Sequence, residues 1–320
     1  MTKMIYIIAM ILGLSQISAA REMKKELIPT KLHLNWKAEP EFGGFYTALI
    51  NKYYEKNGLQ AEVIQGGAGT PTVQMVATGQ ADFGIVSGDE ILISRSNGAK
   101  VVGLFAVFQK APYAFMLHAD SKISSIKELY SSGSTVSVVK GLPFLTYLDK
   151  KFAAGRNIQQ VPYAGGISNF INDKKFVQQC FISSEPLLAE KQGLKVKTLL
   201  VADEGFNPYT VVLATNEDTL KKRPELVKAM VKAVREGWTE YLKNAGPTHE
   251  AITKLNPSMT MDAMTGIHII ETPFIESAET KKYGLGVMTL KRWEELSSQM
   301  KDLGLTKTAI PAKEAFQSAK

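Results

Sequence analysis

The chain has 320 residues, of which 45% are hydrophobic and 22% are charged. Without low-complexity tracts this composition excludes a disordered chain, and the length allows two domains or one large one. The formal net charge is +7, but the lysines are interleaved with glutamates, as in KKELIPTK, which indicates a solvated surface and argues against nucleic acid as a partner.

The first 20 residues form the most unusual stretch of the sequence. An apolar run from Met4 to Leu14 follows a single lysine, and the small residues Ser18 and Ala20 are placed for cleavage. The run is too short to span a bilayer comfortably, so the pattern predicts a secretory signal peptide over residues 1–20, with an uncleaved membrane anchor as the alternative.

The single cysteine, Cys180, agrees with export. It excludes an internal disulfide and a cysteine-based metal site, and it lies too far from the N-terminus to carry a lipid anchor. We therefore expect a soluble protein in a bacterial periplasm.

After Leu32, short apolar runs alternate with amphipathic helices. The run LHLNW predicts a strand that ends at Trp36, and a helix with an aromatic face follows from Phe42 through Tyr53 until Asn57-Gly58. The next predicted strands are AEVIQ, ADFGIV and VVGLFAVF, separated by a helix capped at Thr70-Pro71 and by a helix that begins at SGDE. This alternation with short connections predicts right-handed parallel units in an open α/β sheet.

A second α/β series follows a break. The segment QKAPYAFMLHADSKISS is predicted to be extended across Pro112. Strands are then predicted in STVSVV, IQQVPY, VQQCFIS and VKTLLVA, with helices after KGLPF, through ISNFINDKKF and through EPLLAEKQG. The chain continues with a strand in YTVVLATNEDTL, the long helix RPELVKAMVKAVREGWTEYLKN, and helical sequence as far as MTLKRWEELSSQMKDLGL.

We interpret this order as two α/β lobes, with the second inserted into the first. Lobe 1 is predicted over residues 21–112 and 212–320, and lobe 2 over residues 113–211. Two extended crossings, near Gln109 to Tyr113 and near Pro208 to Ala214, would join them and leave a hinged cleft. Ligands of such sheets lie outside the carboxyl ends of the strands, where helix N-termini point.

The loops at these strand ends supply the candidate ligand contacts. KAEPEF, GGAG, SGDE, KGLPF, YAGGIS and SSEP each precede a predicted helix and so offer free backbone N–H groups. Aromatic rings near them favour a flat heterocycle, although each ring could instead belong to the core. The rings are Trp36, Phe42, Phe108, Tyr113, Phe144, Tyr163 and Tyr209.

Three carboxylates stand near the predicted strand ends. Glu185 in ISSEP could bind an amine or a ring N–H, although the helix dipole alone would favour a glutamate there. Glu39 and Glu41 resemble general bases only in isolation, because no histidine accompanies them and a charge at a helix start needs no special function.

Signatures of catalysis are missing. GGAGTPT lacks the lysine of a phosphate-binding loop, and no GxGxxG motif is present. The four histidines are isolated from one another in sequence and do not suggest a zinc site. Cys180, between VQQ and FIS, is predicted to be buried and inert. We expect no enzyme activity, no cofactor and no metal.

Three stretches resemble one family. LNWKAEPEFGGFYTALINKYYEKNGLQAEV, TVQMVATGQADFGI and TNEDTLKKRPELVKAMVKAVREGW are similar to substrate-binding proteins of transporters for thiamine pyrimidine precursors, riboflavin, alkanesulfonates and nitrate. The resemblance covers the chain from Leu32 to about Leu305. It implies a periplasmic-binding-protein fold of the two-crossing type (type II), a monomer, and delivery of the ligand to an ABC permease in the inner membrane.

An enzyme branch of this family, the thiamine pyrimidine synthases of fungi, shares the same three motifs. In the synthases a lysine that holds pyridoxal phosphate follows the DxG strand, and a histidine lies one helical turn beyond. The matching positions here are Val86 and Glu90, and GFNPY replaces a run of cysteines. Without the lysine no Schiff base can form, so the synthase is the disfavoured alternative.

Within the binding branch, Asn35-Trp36 resembles the motif of members that hold a pyrimidine or a flavin, in which the tryptophan stacks on the ring. The loop VKGLPF resembles the second-lobe loop that faces the ligand. Sulfonate and nitrate members rely more on backbone N–H groups and basic side chains. The expected ligand-binding residues are Asn35, Trp36, Phe42, Gly67, Ser87, Gln109, Tyr113, Gly141, Phe144, Tyr163, Glu185 and Tyr209.

The expected ligand is a vitamin precursor such as a thiamine pyrimidine or a riboflavin-like molecule. An alkanesulfonate or similar small anion is the alternative. A sensory role, in which the bound lobes dock on a receptor and not on a permease, is also open.

Overall fold

The computed structural model describes residues 26–317, which form two five-stranded sheets. The predicted signal peptide lies outside these residues. The strands of the first sheet are β1 (Ile28–His33), β2 (Leu59–Ile64), β3 (Phe83–Val86), β4 (Val101–Phe108) and β10 (Thr210–Asn216). The strands of the second sheet are β5 (Tyr113–His118), β6 (Thr135–Val138), β7 (Gln159–Pro162), β8 (Val177–Phe181) and β9 (Val196–Leu200). The predicted α/β fold with two lobes is thus confirmed.

Both sheets are mixed. The first has the order β2-β1-β3-β10-β4, in which β10 runs antiparallel to both neighbours. The second has the order β7-β6-β8-β5-β9, in which β5 runs antiparallel to both neighbours. The prediction of parallel units is confirmed for β1 to β3 and for β6 to β8. It did not extend to β5 and β10, which run antiparallel to their neighbours because the chain reaches them by a crossing between sheets and not by a helical crossover within one sheet.

Helices cover the two sheets. Those on the first lobe are the 3₁₀ turn η1 (Pro40–Phe42), α1 (Gly43–Ile50), α2 (Tyr53–Lys56), α3 (Thr72–Ala77), α4 (Gly88–Ser96), α9 (Glu217–Lys222), α10 (Pro224–Lys243), α11 (Gly246–Leu255), α12 (Met261–Ile275), α13 (Ala278–Tyr283), α14 (Leu290–Asp302) and α15 (Ala312–Ala315). Those of the second series are α5 (Ile126–Ser131), α6 (Pro143–Lys151), α7 (Ser168–Asn172), α8 (Glu185–Lys191) and the 3₁₀ turn η2 (Val201–Glu204). Among residues 26–317, none of these helices has the length and apolar character that a bilayer crossing requires.

Two predictions about the opening stretch are wrong in detail. Strand β1 ends at His33 and not at Trp36, because the chain turns after Leu34 and the Trp36 carbonyl instead accepts a hydrogen bond from the Gly66 N–H at 2.9 Å. The predicted single aromatic helix is η1, α1 and α2 in succession. Lys52, in the left-handed conformation with φ of 57°, interrupts it.

The segment after the first crossing is also more regular than predicted. Residues Tyr113–His118, expected only as an extended connection, form β5 between β8 and β9 of the second sheet. Four consecutive residues, 114–117, are apolar and fully buried. Such an uninterrupted apolar run is typical of a strand covered on both faces.

Glycines let α1 approach α10 closely. A Cβ on Gly43 would lie 2.1 Å from the Tyr241 ring, and one on Gly44 would lie 2.2 Å from the Trp238 ring. From the other side, a Cβ on Gly237 would lie 2.2 Å from the Gly44 carbonyl oxygen. The close contact fixes the helix that follows the candidate ligand loop against the longest helix of the fold.

Arg292 of α14 holds the two crossings together. Its guanidinium donates to the carbonyl oxygens of Gln109, in the first crossing, and Asn207, in the second. It also lies 3.8 Å from the centre of the Tyr209 ring, a cation–π contact. The lobe boundaries at residues 112 and 211 stay a prediction, although β10 already pairs with the first sheet from Thr210.

Candidate ligand-binding cleft

Loops from the two lobes meet at the carboxyl ends of the parallel strands. Ser183, at the start of α8, donates a hydrogen bond from its hydroxyl to Glu271 Oε1 of α12 at 2.7 Å. Beside this contact, the methyl groups of Leu187 lie 3.3 Å from the position of a Cβ on Gly266. Helices α8 and α12 therefore form one side of the space between the lobes.

The loop that carries Trp36 is fixed by the backbone around it. The Ala38 N–H donates to Gln65 Oε1 at 2.8 Å, and the Ala38 carbonyl accepts from Asn256 Nδ2 at 3.0 Å. Gly66 is required next to this loop, because a Cβ there would lie 2.3 Å from the Leu34 carbonyl oxygen. The Trp36 side chain remains 39% exposed on this ordered loop, as a ring available to a ligand would be.

Tyr113 is the first residue of β5 and of the predicted second lobe, and its side chain is half-buried. It stacks on Phe144, with ring centres 5.2 Å apart and an interplanar angle of 22°, and Phe181 packs edge-on against it at 5.9 Å. Burial raises the pKa of the Tyr113 phenol well above its ordinary value, and the nearby carboxylates of Asp89 and Glu90 raise it further. Tyr113 is therefore a neutral hydrogen-bond donor, and Phe144 supports its ring from behind.

Glu185 is the first residue of α8 and is oriented by two donors. The Tyr163 hydroxyl donates to its Oε1 at 2.9 Å, and the Phe181 N–H donates to its Oε2 at 3.0 Å. Burial nevertheless raises the Glu185 pKa. The structure thus brings together two residues, Tyr163 and Glu185, that are 22 positions apart in sequence.

Glu39, in the Trp36 loop, lies close enough to Glu185 of α8 for the charges of the two carboxyls to interact. The Glu39 pKa is raised to about 7; loss of hydration is the largest cause, and the Glu185 carboxylate acts in the same direction. A hydrogen bond from Trp36 and the charge of Lys37 act in the opposite direction. Near neutral pH this carboxyl is therefore partly protonated, unlike an exposed glutamate.

Glu41 and Glu271 extend the acidic group into the first lobe. Turn η1, which carries Glu41, packs on α12, which carries Glu271. Burial raises the Glu41 pKa well above its ordinary value, and the charges of Glu39 and Glu271 add to the effect. Burial likewise raises the Glu271 pKa to about 8, with Glu39 adding to it and the bond from Ser183 opposing it.

The start of α4 contributes another carboxyl. Ser87 is the N-cap residue, and its N–H and hydroxyl donate to Glu90 Oε2 at 2.8 and 3.0 Å. The next acid, Asp89, is 3% exposed and its Oδ1 has no hydrogen-bond partner. Burial raises the Asp89 pKa to about 6. The predicted residue Ser87 thus has a capping role in the structure, and its neighbour Asp89 carries the unsatisfied oxygen.

Three other predicted residues lie in loops at strand ends. Asn35 precedes Trp36 and is exposed, and Gly141 precedes α6 with a φ of 88°. The Gly67 N–H donates to the Thr70 hydroxyl at 2.8 Å. Their ligand contacts stay predictions.

The last three predicted residues are buried among protein groups. Phe42 is fully buried in the first-lobe core. The Gln109 amide donates to the Ala106 and Val287 carbonyl oxygens at 3.0 and 3.1 Å, and the Tyr209 hydroxyl accepts from the Thr289 N–H at 3.0 Å. The side-chain contacts of these residues thus lie within the protein.

The histidines are less isolated in space than in sequence. The Tyr241 hydroxyl lies 3.0 Å from His249 Nε2, and the rings of His249 and His268 are 5.9 Å apart. Burial lowers the pKa of both histidines, that of His249 to about 4. In the part of the chain that the structure describes, no group of three or more acidic, histidine or cysteine side chains is arranged to hold a metal ion.

A surface recess of about 570 Å³ lies away from the cleft, where β5 ends and where β6 and β8 begin. Its lining includes His118, Thr135 and Val177, which are the last residue of β5 and the first residues of β6 and β8. Because ligands of open α/β sheets bind at the carboxyl ends of the parallel strands, this recess is not our candidate site.

Sequence reasoning missed the acidic character of the cleft. It considered Glu39 and Glu41 ordinary helix-start charges, and it did not single out Asp89 or Glu271. For Glu271 a local signal was present, since a glutamate follows the apolar residues Ile269 and Ile270 in HIIETPF. Its partners Ser183 and Glu41 are 88 and 230 positions away, which the pattern could not show.

Two lobes that enclose a cleft of aromatic and carboxyl side chains define a class of protein. It is the class that has the two-lobed periplasmic-binding-protein fold. The chain belongs to the NMT1/THI5-like family, whose model matches residues 39–246.

Individual relatives are binding proteins. The chain is 25% identical to the riboflavin-binding protein RibY of Chloroflexus aurantiacus over 86% of this chain and 81% of that protein. It is 22% identical to the formylaminopyrimidine-binding protein of Halalkalibacterium halodurans over 99% of this chain and 98% of that protein. The periplasmic aliphatic sulphonate binding protein SsuA of Escherichia coli shares the fold, with a TM-score of 0.69 and 13% identity over 91% and 92% of the two chains. These relatives agree with the prediction that the chain is a binding protein and not an enzyme.

Proposed function

We propose that this chain is the exported, periplasmic and monomeric binding component of an importer for a small heterocyclic vitamin precursor. The ligand class is a thiamine pyrimidine or a riboflavin-like molecule, held between the two lobes. The single observation that carries the proposal is Trp36, a large exposed ring on a loop that backbone hydrogen bonds fix at the end of β1.

The polar groups around Trp36 support a heterocycle. Glu39 lies beside the ring, and Glu185 of α8 lies close enough to Glu39 for their charges to interact. A heterocycle with ring nitrogens and amino groups offers N–H donors to such carboxyls, and its flat face suits the indole. Two relatives named for a flavin and for a pyrimidine ligand add support.

The same groups disfavour the alkanesulfonate alternative. A sulfonate is best held by several donors and a positive charge. Glu39, Glu41 and Glu271 supply no positive charge, and each of them repels an anion once it is ionised. The likeness to the sulfonate-binding protein concerns the fold, and fold alone does not set the ligand.

Calorimetry with a pair of variants tests the proposal. Trp36→Ala removes the exposed ring, so we expect affinity for the bound heterocycle to fall by about tenfold or more, since aromatic–base stacking contributes roughly 1–3 kcal/mol per ring. The control is Tyr283→Ala, which removes an aromatic ring that is 62% exposed on α13. Equal affinity in Trp36→Ala and wild type would contradict the proposed role of the ring.

A further inference from the structure

The wall of the cleft on α12 holds a carboxyl with incomplete hydrogen bonding. Glu271 is 3% exposed, and Ser183 donates to its Oε1 at 2.7 Å. Its Oε2 is buried and has no hydrogen-bond partner. A buried polar atom without a partner destabilises the fold, so a ligand that brings a hydrogen-bond donor to this oxygen is favoured.

The groups around Glu271 come from four other elements and from α12 itself. Glu39 and Glu41 approach from the Trp36 loop and η1, and both interact electrostatically with Glu271 or with each other. Ser183 approaches from α8, and Tyr241 of α10 lies within the field of the Glu271 charge. His268, one turn earlier on α12, is kept neutral near pH 7 because burial lowers its pKa.

The charge of this group is not balanced by the protein. Lys37 lowers the Glu39 pKa, but no basic side chain among residues 26–317 shifts the pKa of Glu41 or Glu271 downward. Carboxyls gathered at low local dielectric without a counter-charge stay protonated or attract a cation. These acidic side chains are thus gathered at one place in a chain whose formal net charge is +7.

We propose that the ligand is a cation whose protonated amine or amidinium group binds between Glu41 and Glu271 while its ring lies against Trp36. The ring contact rests on the proposed function, whereas the charge contact rests on the carboxyl group alone. The cation donates to the unpartnered Oε2 of Glu271 and replaces the protons that the carboxyls otherwise hold.

The affinity for a neutral ligand would change with pH in the opposite direction to the affinity for a cation. If protonated Glu41 and Glu271 donated to a ring carbonyl, binding would take up protons, and affinity would fall as the pH rises. A cation displaces protons, so its affinity rises with pH, by up to about tenfold per pH unit for each proton released.

The test is titration calorimetry with two matched pairs of compounds at pH 6, 7 and 8, in buffers of different ionisation enthalpy. The first pair is 4-amino-2-methylpyrimidine bearing either a 5-aminomethyl or a 5-hydroxymethyl group. The second pair is benzamidine and benzamide, which lack the heterocycle. We expect each cation to bind at least about tenfold more tightly than its neutral partner at pH 7.5, the range of a charge-assisted hydrogen bond, and to release protons.

Variants of the carboxyls show which side chain causes the preference for the cation. Glu271→Gln keeps the shape of the side chain, and we expect it to reduce the preference for the aminomethyl compound to within about threefold. Glu41→Gln provides a second, independent variant. The matched control is Glu276→Gln, an exposed glutamate at the end of the same helix.

The possible outcomes separate the two proposals. Equal affinities within each pair, or affinity that falls with pH as protons are taken up, would overturn the cation inference, while binding of either pyrimidine would sustain the proposed function. Binding of benzamidine without either pyrimidine would sustain the cation inference and overturn the pyrimidine form of the proposed function. Binding by none of the four would overturn both the cation inference and that pyrimidine form.

Discussion

Replacing Glu271 by glutamine should change how the stability of the unliganded protein depends on pH. The folded state holds the Glu271 pKa at about 8, against an ordinary value of 4.5, chiefly through burial. Between these two pH values the unfolded chain releases the proton while the folded protein retains it. The free energy of unfolding therefore falls as the pH rises through this window and levels off above about pH 8.

The magnitude follows from the window. One pH unit corresponds to about 1.4 kcal/mol for a single proton, so from pH 5 to pH 8 the glutamate loses at most about 4 kcal/mol. Glutamine has no proton to lose. Relative to wild type, Glu271→Gln should gain about 2–4 kcal/mol between pH 5 and pH 8, with the lower figure applying where Glu39 and Glu41 share the titration.

Urea unfolding of both proteins at pH 5, 6.5 and 8 measures this difference. Glu276→Gln, at an exposed position on the same helix, should follow the wild-type curve at every pH. A difference between Glu271→Gln and wild type that stays within about 0.5 kcal/mol across the range would refute the reasoning, since it would mean that Glu271 is ionised in the folded protein.

Two other predictions concern packing. Gly44→Ala should destabilise the protein by about 1–3 kcal/mol or more in urea unfolding, because its methyl would lie 2.2 Å from the Trp238 ring. The control is Gly246→Ala, whose methyl would come no closer than 4.0 Å to the recorded neighbour, Asn244 Oδ1. Equal losses in the two variants would contradict the close helix contact. Arg292→Met should destabilise the protein by about 2 kcal/mol or more, because it removes the donors that join the two crossings. It should also speed hydrogen exchange in residues 109–112 and 205–209. Unchanged exchange in these residues would show that Arg292 does not hold the two crossings together.

Periodicity predicted most of the fold because it is a local property. Alternating apolar runs located nine of the ten strands, and the return of the chain after the second series predicted the inserted lobe. Strand β5 was missed because its run follows Pro112 and joins the two series, so that it resembled an extended connection. Burial does not explain the miss, since the fully buried strands β4 and β10 were located. The end of β1 was placed three residues late because Gly66, 33 positions from His33, determines where the chain turns.

The cleft could be predicted only in part. Trp36, Tyr113, Tyr163 and Glu185 follow from their places near strand ends, and the structure brings Tyr163 and Glu185 into direct contact. The acidic cluster depends on Glu271, which reaches Glu41 and Ser183 only through the packing of α12 on η1 and α8. Such long-range contacts leave no spacing in the sequence, so the charge of the cleft became visible only in the structure.

The most direct test of the proposed function is a thermal-shift screen of the chain from residue 21 onward. The panel holds aminopyrimidines, thiamine, riboflavin, taurine, longer alkanesulfonates and nitrate. A ligand at about a hundred times its Kd adds roughly 2.7 kcal/mol of stability, which gives a clear rise in Tm. We predict a rise with a heterocycle and none with the anions. A rise with sulfonates alone would contradict the proposed ligand class and the role assigned to Trp36.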